Sequence, residues 1–207
     1  MSLWSVMVRR VMGGRVLKES GSRPGEGELM RLRETALLCE PSLILEAVAT
    51  LAPGELTELA RVVLRERISD AIEVLRACAP CRDLLSGGGY DPIEMLLAFR
   101  ERIGQRGAQM DIDESGGGGS QRGQGFETWI RFGPINFLTG LSLDGMTLRE
   151  SQVQVILHEL AHAAGDVIPP DGGNPPESVR NQQRITRACL PETYERIRSQ
   201  EPGASSQ

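Results

Sequence analysis

The chain of 207 residues contains two histidines, and both fall in one pentad, His158-Glu159-Leu160-Ala161-His162. On an α-helix, residues four apart share a face, so the two imidazoles can point at one tetrahedral ion roughly 2.0–2.1 Å away. Glu159 falls beside such an ion without binding it. From there its carboxylate can take a proton from a water that the ion has acidified and hand it to a departing amine. Residue type and spacing point to a Zn2+ cofactor, with His158 and His162 as metal ligands and Glu159 as the catalytic general base. That both histidines of a histidine-poor chain take ligand spacing argues against a chance match.

The third protein ligand cannot be histidine, since none is left. Asp166 directly follows Gly165, Asp171 lies beyond the Pro169-Pro170 corner, and Glu177 comes later. Asp171 is favoured, because a Pro-Pro corner followed by Asp-Gly-Gly gives the chain a tight return path. Asp166, Glu177 and a water stay open as alternatives.

The motif needs a helix to hold it. Thr147-Leu148-Arg149-Glu150 has the form of a capping box, and Leu148, Val153, Ile156, Leu157, Leu160 and Ala164 continue at helical spacing. Gly165 supplies a left-handed stop, so the sequence predicts a helix of about 17 residues over 148–164, with the motif in its last two turns. Ahead of it, Phe126, Thr128, Ile130 and Phe132 alternate with Glu127, Trp129 and Arg131, as in a half-buried strand. That period predicts a strand over 126–132, and Gly133-Pro134 makes it an edge or bulged one. The Gly-rich stretch from Ser115 to Gly125 reads as a flexible loop, either a flap or a tolerated insertion.

Further upstream, Leu56, Leu59, Val62, Val63, Leu64, Ile68, Ala71, Ile72 and Leu75 predict an amphipathic helix of about five turns. Asp91-Pro92 opens a second, with Asp91 as N-cap. Residues 1–35 read as a flexible N-terminal segment, 36–200 as one domain, and 201–207 as a disordered tail. The resulting class is α+β, mostly helical with a small sheet.

Composition narrows the partners. The 23 basic residues, all arginine except Lys18, are interleaved with 28 acidic ones for a net charge of -5, which gives no basic block for nucleic acid. No stretch reaches the roughly 20 apolar residues that span a bilayer, and Arg9 and Arg10 interrupt any signal-like run near Met1. The expected partner is a peptide or protein substrate, with neither nucleic acid nor membrane, and the compartment stays open.

The string from His158 to Gly165, then Ile168-Pro-Pro-Asp-Gly172, Ser178, Asn181, Ile185 and Cys189, resembles a family of uncharacterised bacterial zincin-like proteins, many of them exported. Cys81 with Leu84 and Leu85, Asp91-Pro92, and Pro134-Ile-Asn136 fit as well, so the resemblance covers about residues 78–190. It implies a zincin-like fold with zinc on His158, His162 and Asp171 and with Glu159 as base. In zincins the strand ahead of the motif helix borders the cleft and pairs with substrate, a role that would fall to Phe126–Phe132. The chain departs from the metzincin pattern, with Ile168 near the place of a third histidine and no tyrosine or histidine close behind the motif to stabilise an oxyanion.

Four cysteines remain. Cys78-Ala-Pro-Cys81 has redox spacing, though a lone pair of this kind is a weak signal. In an oxidising environment the better role is a staple from Cys81 to Cys189, leaving Cys39 free or paired with Cys78. Asn181 is a candidate to support the Asp171 turn, whereas Arg180, Arg184 and Arg187 read as a solvated face. The leading functional expectation is a zinc metallopeptidase; the alternatives are a non-catalytic zinc-binding structural or partner-binding protein, and an interaction protein that works through its long N-terminal helix.

Overall fold

Five helices among the described residues begin on a proline, at Pro53, Pro92, Pro134, Pro175 and Pro191. Proline suits that position because its φ is already helical and its missing N–H has no partner there in any case. The computed structural model describes residues 48–114, 120–140, 145–165, 167–171 and 173–200. The expected N-terminal segment and C-terminal tail, Cys39 and the candidate ligand Asp166 lie outside the described residues.

In chain order the elements are α1 (Pro53–Ala77), α2 (Ala79–Leu85), α3 (Pro92–Arg102), β1 (Met110–Ile112) and β2 (Ser120–Arg122). A single 3-10 turn, Gly125–Glu127, follows, then β3 (Trp129–Phe132), α4 (Pro134–Thr139), α5 (Leu148–Ala163), α6 (Pro175–Cys189) and α7 (Pro191–Gln200). The class is α+β, mostly helical with one small sheet.

Helix α1 is the centre of the molecule. Leu64, Ile68 and Leu75 are fully buried, and the helix packs against α2, α3, α4, α5 and β1. It runs 25 residues, longer than the apolar pattern alone indicated, because Pro53 starts it ahead of Leu56. Met95, Leu96 and Phe99 of α3 and Met110, Ile130 and Phe132 of the sheet complete the same core. No helix among the described residues is long and apolar enough to cross a membrane.

The sheet corrects two expectations. Its order is β1-β3-β2, with β1 parallel and β2 antiparallel to β3. The strand expected at 126–132 is therefore shorter, begins at Trp129, and is central and not an edge. Phe126 sits in the 3-10 turn and is 44% exposed, so only Thr128, Ile130 and Phe132 of the alternating set are buried. Pro134 opens α4 instead of interrupting the sheet. The supposed loop at 115–125 carries β2, because backbone pairing to β3 holds residues 120–122 extended. That pairing has no hydrophobic signature, which is why a polar, Gly-rich stretch concealed it.

Helix α5 has the predicted start and nearly the predicted end. Thr147 accepts from the Glu150 backbone N–H, and Glu150 accepts from the Thr147 N–H at 2.8 Å. Helix α7 adds to this cap: Thr193 donates to Glu150 Oε1 at 2.6 Å and Arg196 pairs with Oε2 at 2.6 Å. At the other end, Gly88 lies against the Ala164 carbonyl, where an added Cβ would come within 1.4 Å of the oxygen. Only glycine lets the turn after α2 approach α5 so closely.

Glu150 links this fold to pH. Partial burial alone would raise its pKa, but bonds from Arg196, Thr193 and Thr147 outweigh that and lower it from 4.5 to about 2. A depressed carboxylate contributes stability that is present above its unfolded pKa and is lost as pH falls through the interval from 4.5 toward about 2. Glu150→Gln is expected to cost roughly 1 kcal/mol near neutrality after solvent screening, or about 2–4 °C in melting temperature. The deficit should shrink as pH drops, and melting curves from pH 7 downward would show it.

Candidate metal centre

The last turns of α5 bring His158 and His162 onto one face, with ring centroids 4.8 Å apart and planes nearly perpendicular. Their Nε2 atoms approach to 3.1 Å. Gly165, at φ 87°, then turns the chain out of the helix. Val167 and Ile168 are buried against the core and anchor the reversal. The rigid Pro169-Pro170 pair follows, and Asp171 returns to the two imidazoles.

Asp171 Oδ2 lies 3.2 Å from His158 Nε2, and Oδ1 lies 3.6 Å from His162 Nε2. Asp171 reaches the two imidazoles through different oxygens, and one donor atom from each of the three residues lies within 4.8 Å of the others, close enough to share an ion. Among the described residues this is the sole cluster of three such side chains able to share an ion. Of the sequence candidates, the structure brings together His158, His162 and Asp171. Glu177 pairs instead with Arg180 on its own helix.

Helix α6 holds Asp171 in place. The Asn181 amide donates to Asp171 Oδ1 at 2.7 Å and to the Pro169 carbonyl at 2.8 Å, and the side chain is buried. One amide thus fixes both the carboxylate and the turn that delivers it. Ser178, one turn earlier, also hydrogen-bonds the carboxylate. Sequence reasoning gave Ser178 no role at the site; its three-residue spacing from Asn181 is the one signal that could have done so.

Burial decides the protonation states. It holds His158 below the ordinary imidazole value, against the opposing pull of Asp171. His162 is lowered by burial and by the neighbouring His158. For Asp171, partial burial works upward, but the Asn181 bond and the two imidazoles bring the pKa below the usual carboxylate value. The set is thus two neutral imidazoles and one carboxylate, the forms in which these groups act as metal ligands. Glu159, 7% exposed, is pushed up to about 8 by burial and then by the charge of Asp171. His158 Nδ1 is buried with no partner among the described residues.

No family model, no curated protein and no solved structure matches this chain.

Because Asn181 orients one donor and the turn behind it, its loss should weaken capture of a divalent ion without removing a ligand. Asn181→Ala is expected to bind Zn2+ about 10–100-fold less tightly than the unaltered chain, read by competition against a chromophoric chelator. Unchanged affinity would mean that Asp171 is held without Asn181.

Proposed function

We propose that this chain is a zinc-dependent metallopeptidase with a zincin-like catalytic helix, in which His158, His162 and Asp171 hold the ion and Glu159 is the general base. The observation that carries the proposal is the convergence of those three donors within 4.8 Å of one another, next in sequence to a buried carboxyl group. The resemblance of residues 78–190 to zincin-like proteins supports the same reading.

Zn2+ bound by this triad would supply Lewis acidity, acidifying a water and polarising a peptide carbonyl. The chain's own residues do the rest. With the ion bound, its charge would bring the Glu159 carboxyl down from about 8 to the carboxylate form, which would accept a proton from the attacking water and pass it to the nitrogen of the leaving amine. Asn181 and Ser178 keep Asp171 turned toward the imidazoles. Burial of α5 between α1, α6 and β2 keeps bulk water from that proton transfer.

The central position of β3 moves the expected substrate path. A strand paired on both sides cannot receive a further strand, so the Phe126–Phe132 segment is not the docking edge. Strand β2, which packs near α5 and has β3 on one side only, offers the backbone groups to which an extended peptide adds. Among the described residues three side chains converge, which would leave the fourth position of a tetrahedral ion open, the arrangement of catalytic sites and not of closed structural ones. That favours the enzyme over the non-catalytic zinc protein.

Elemental analysis of the purified chain is expected to find one zinc per chain, lost in His162→Ala. In a peptidase assay with unfolded protein substrates, Glu159→Gln should keep its zinc and lose at least about 100-fold in turnover. Zinc retained with cleavage unaffected by Glu159→Gln would remove the general-base assignment. Absence of zinc after reconstitution would remove the metal centre itself.

A further inference from the structure

Helix α6 has a second face. Asn181, Ile185 and Cys189 point into the core, whereas Arg180, Arg184 and Arg187 recur on the outside. With Pro80 and Leu84 of α2 and Tyr194 of α7, the arginines line an open groove of about 610 Å3, within the range of ligand-sized clefts. The sequence reading took these arginines for a solvated face; the groove gives them a common wall.

Charge in this groove is compensated only at Arg180. Arg180 pairs with Glu177, the only acidic residue of α6. Among the described residues, Arg184 and Arg187 have no ion pair or hydrogen bond. Like charges one helical turn apart destabilise a helix, so the row costs stability unless an anion is supplied from elsewhere. The chain around it is acidic, with a net charge of -5.

We propose that this groove is a docking site for an acidic polypeptide segment in extended conformation. At 1.5 Å per residue, Arg180, Arg184 and Arg187 form a row roughly 10 Å long, which offers an extended chain more than one anchoring cation. Alternate side chains of an extended chain recur about every 7 Å, close to the rise of roughly 6 Å between Arg180 and Arg184. Pro80, Leu84 and Ala188 give the apolar floor on which the intervening residues lie, and the Gln183 amide and Tyr194 hydroxyl add neutral hydrogen-bonding groups. A nucleic acid fits less well: the groove has one aromatic side chain, no ladder of stacking surfaces, and a short basic track. The site faces away from Asn181, so its occupancy is independent of the metal reading.

The test uses the full chain and a fluorescein-labelled peptide of alternating Glu and Ala, followed by anisotropy in low salt. The peptide is expected to bind, to weaken as salt rises, and to bind at least about tenfold less tightly to Arg184→Glu/Arg187→Glu. Arg76→Glu, a reversal on an exposed part of α1, should change affinity less than about twofold. Should the double reversal lower the melting temperature, Arg184→Gln/Arg187→Gln carries the same comparison without new charge repulsion. Failure of the peptide to bind, or equal binding by the arginine variants, overturns the proposal. Tighter binding of an oligothymidylate of matched charge through the same arginines overturns the polypeptide assignment.

Discussion

The hydrogen bond from Asn181 to Asp171 joins two helices that pack on each other through the turn that connects them. On one side is the end of α5 with its two imidazoles; on the other is α6, whose position is set by the core and by the Cys81–Cys189 disulfide. Without that bond Asp171 is a half-exposed carboxylate on a turn, held by Ser178 and the imidazoles alone. With it, the carboxylate is held toward the two imidazoles, so an ion bound there would leave less ordering to the binding step. The bond from the same amide to the Pro169 carbonyl extends this control to the backbone.

A buried helix that carries two histidines and a glutamate is an expensive element, because each polar group gives up water. Beyond these, α5 also buries Ser151, Gln152 and Gln154, and Gln152 donates to the Phe137 carbonyl at 2.9 Å. The helix is therefore enclosed nearly all round, by α1 on its apolar side and by α6 and β2 elsewhere. Its stability has to come from its neighbours and its ends. The capping box braced by α7, and the close approach of Gly88 at the far end, meet that need.

How much of this was legible in the sequence follows from which interactions leave a local trace. The cap at Thr147 and Glu150, the stop at Gly165 and the proline starts at Pro53 and Pro92 are local, and each was readable from a few neighbouring residues. The His158, His162 and Asp171 set was readable too, two members from helix geometry and one from turn chemistry. The strand positions were not. Alternation at 126–132 suggested a single long edge strand, whereas the order β1-β3-β2 depends on pairing with distant segments that lack a hydrophobic period. Nor did the polar residues of α5 announce their burial, since a face covered by other elements has the same spelling as one left in water.

The disulfide has a topological consequence. Cys81 and Cys189, 108 positions apart, close a covalent ring that contains most of α2 and all of α3, the sheet, α4, α5 and α6. A single cut in the backbone anywhere within that ring opens it without releasing either piece, so a nicked chain stays one molecule with His158, His162 and Asp171 still tethered to each other. Cys78, a free thiol donating to the Ala188 carbonyl at 3.1 Å, stands just outside the ring, beside the residue that precedes its closing link.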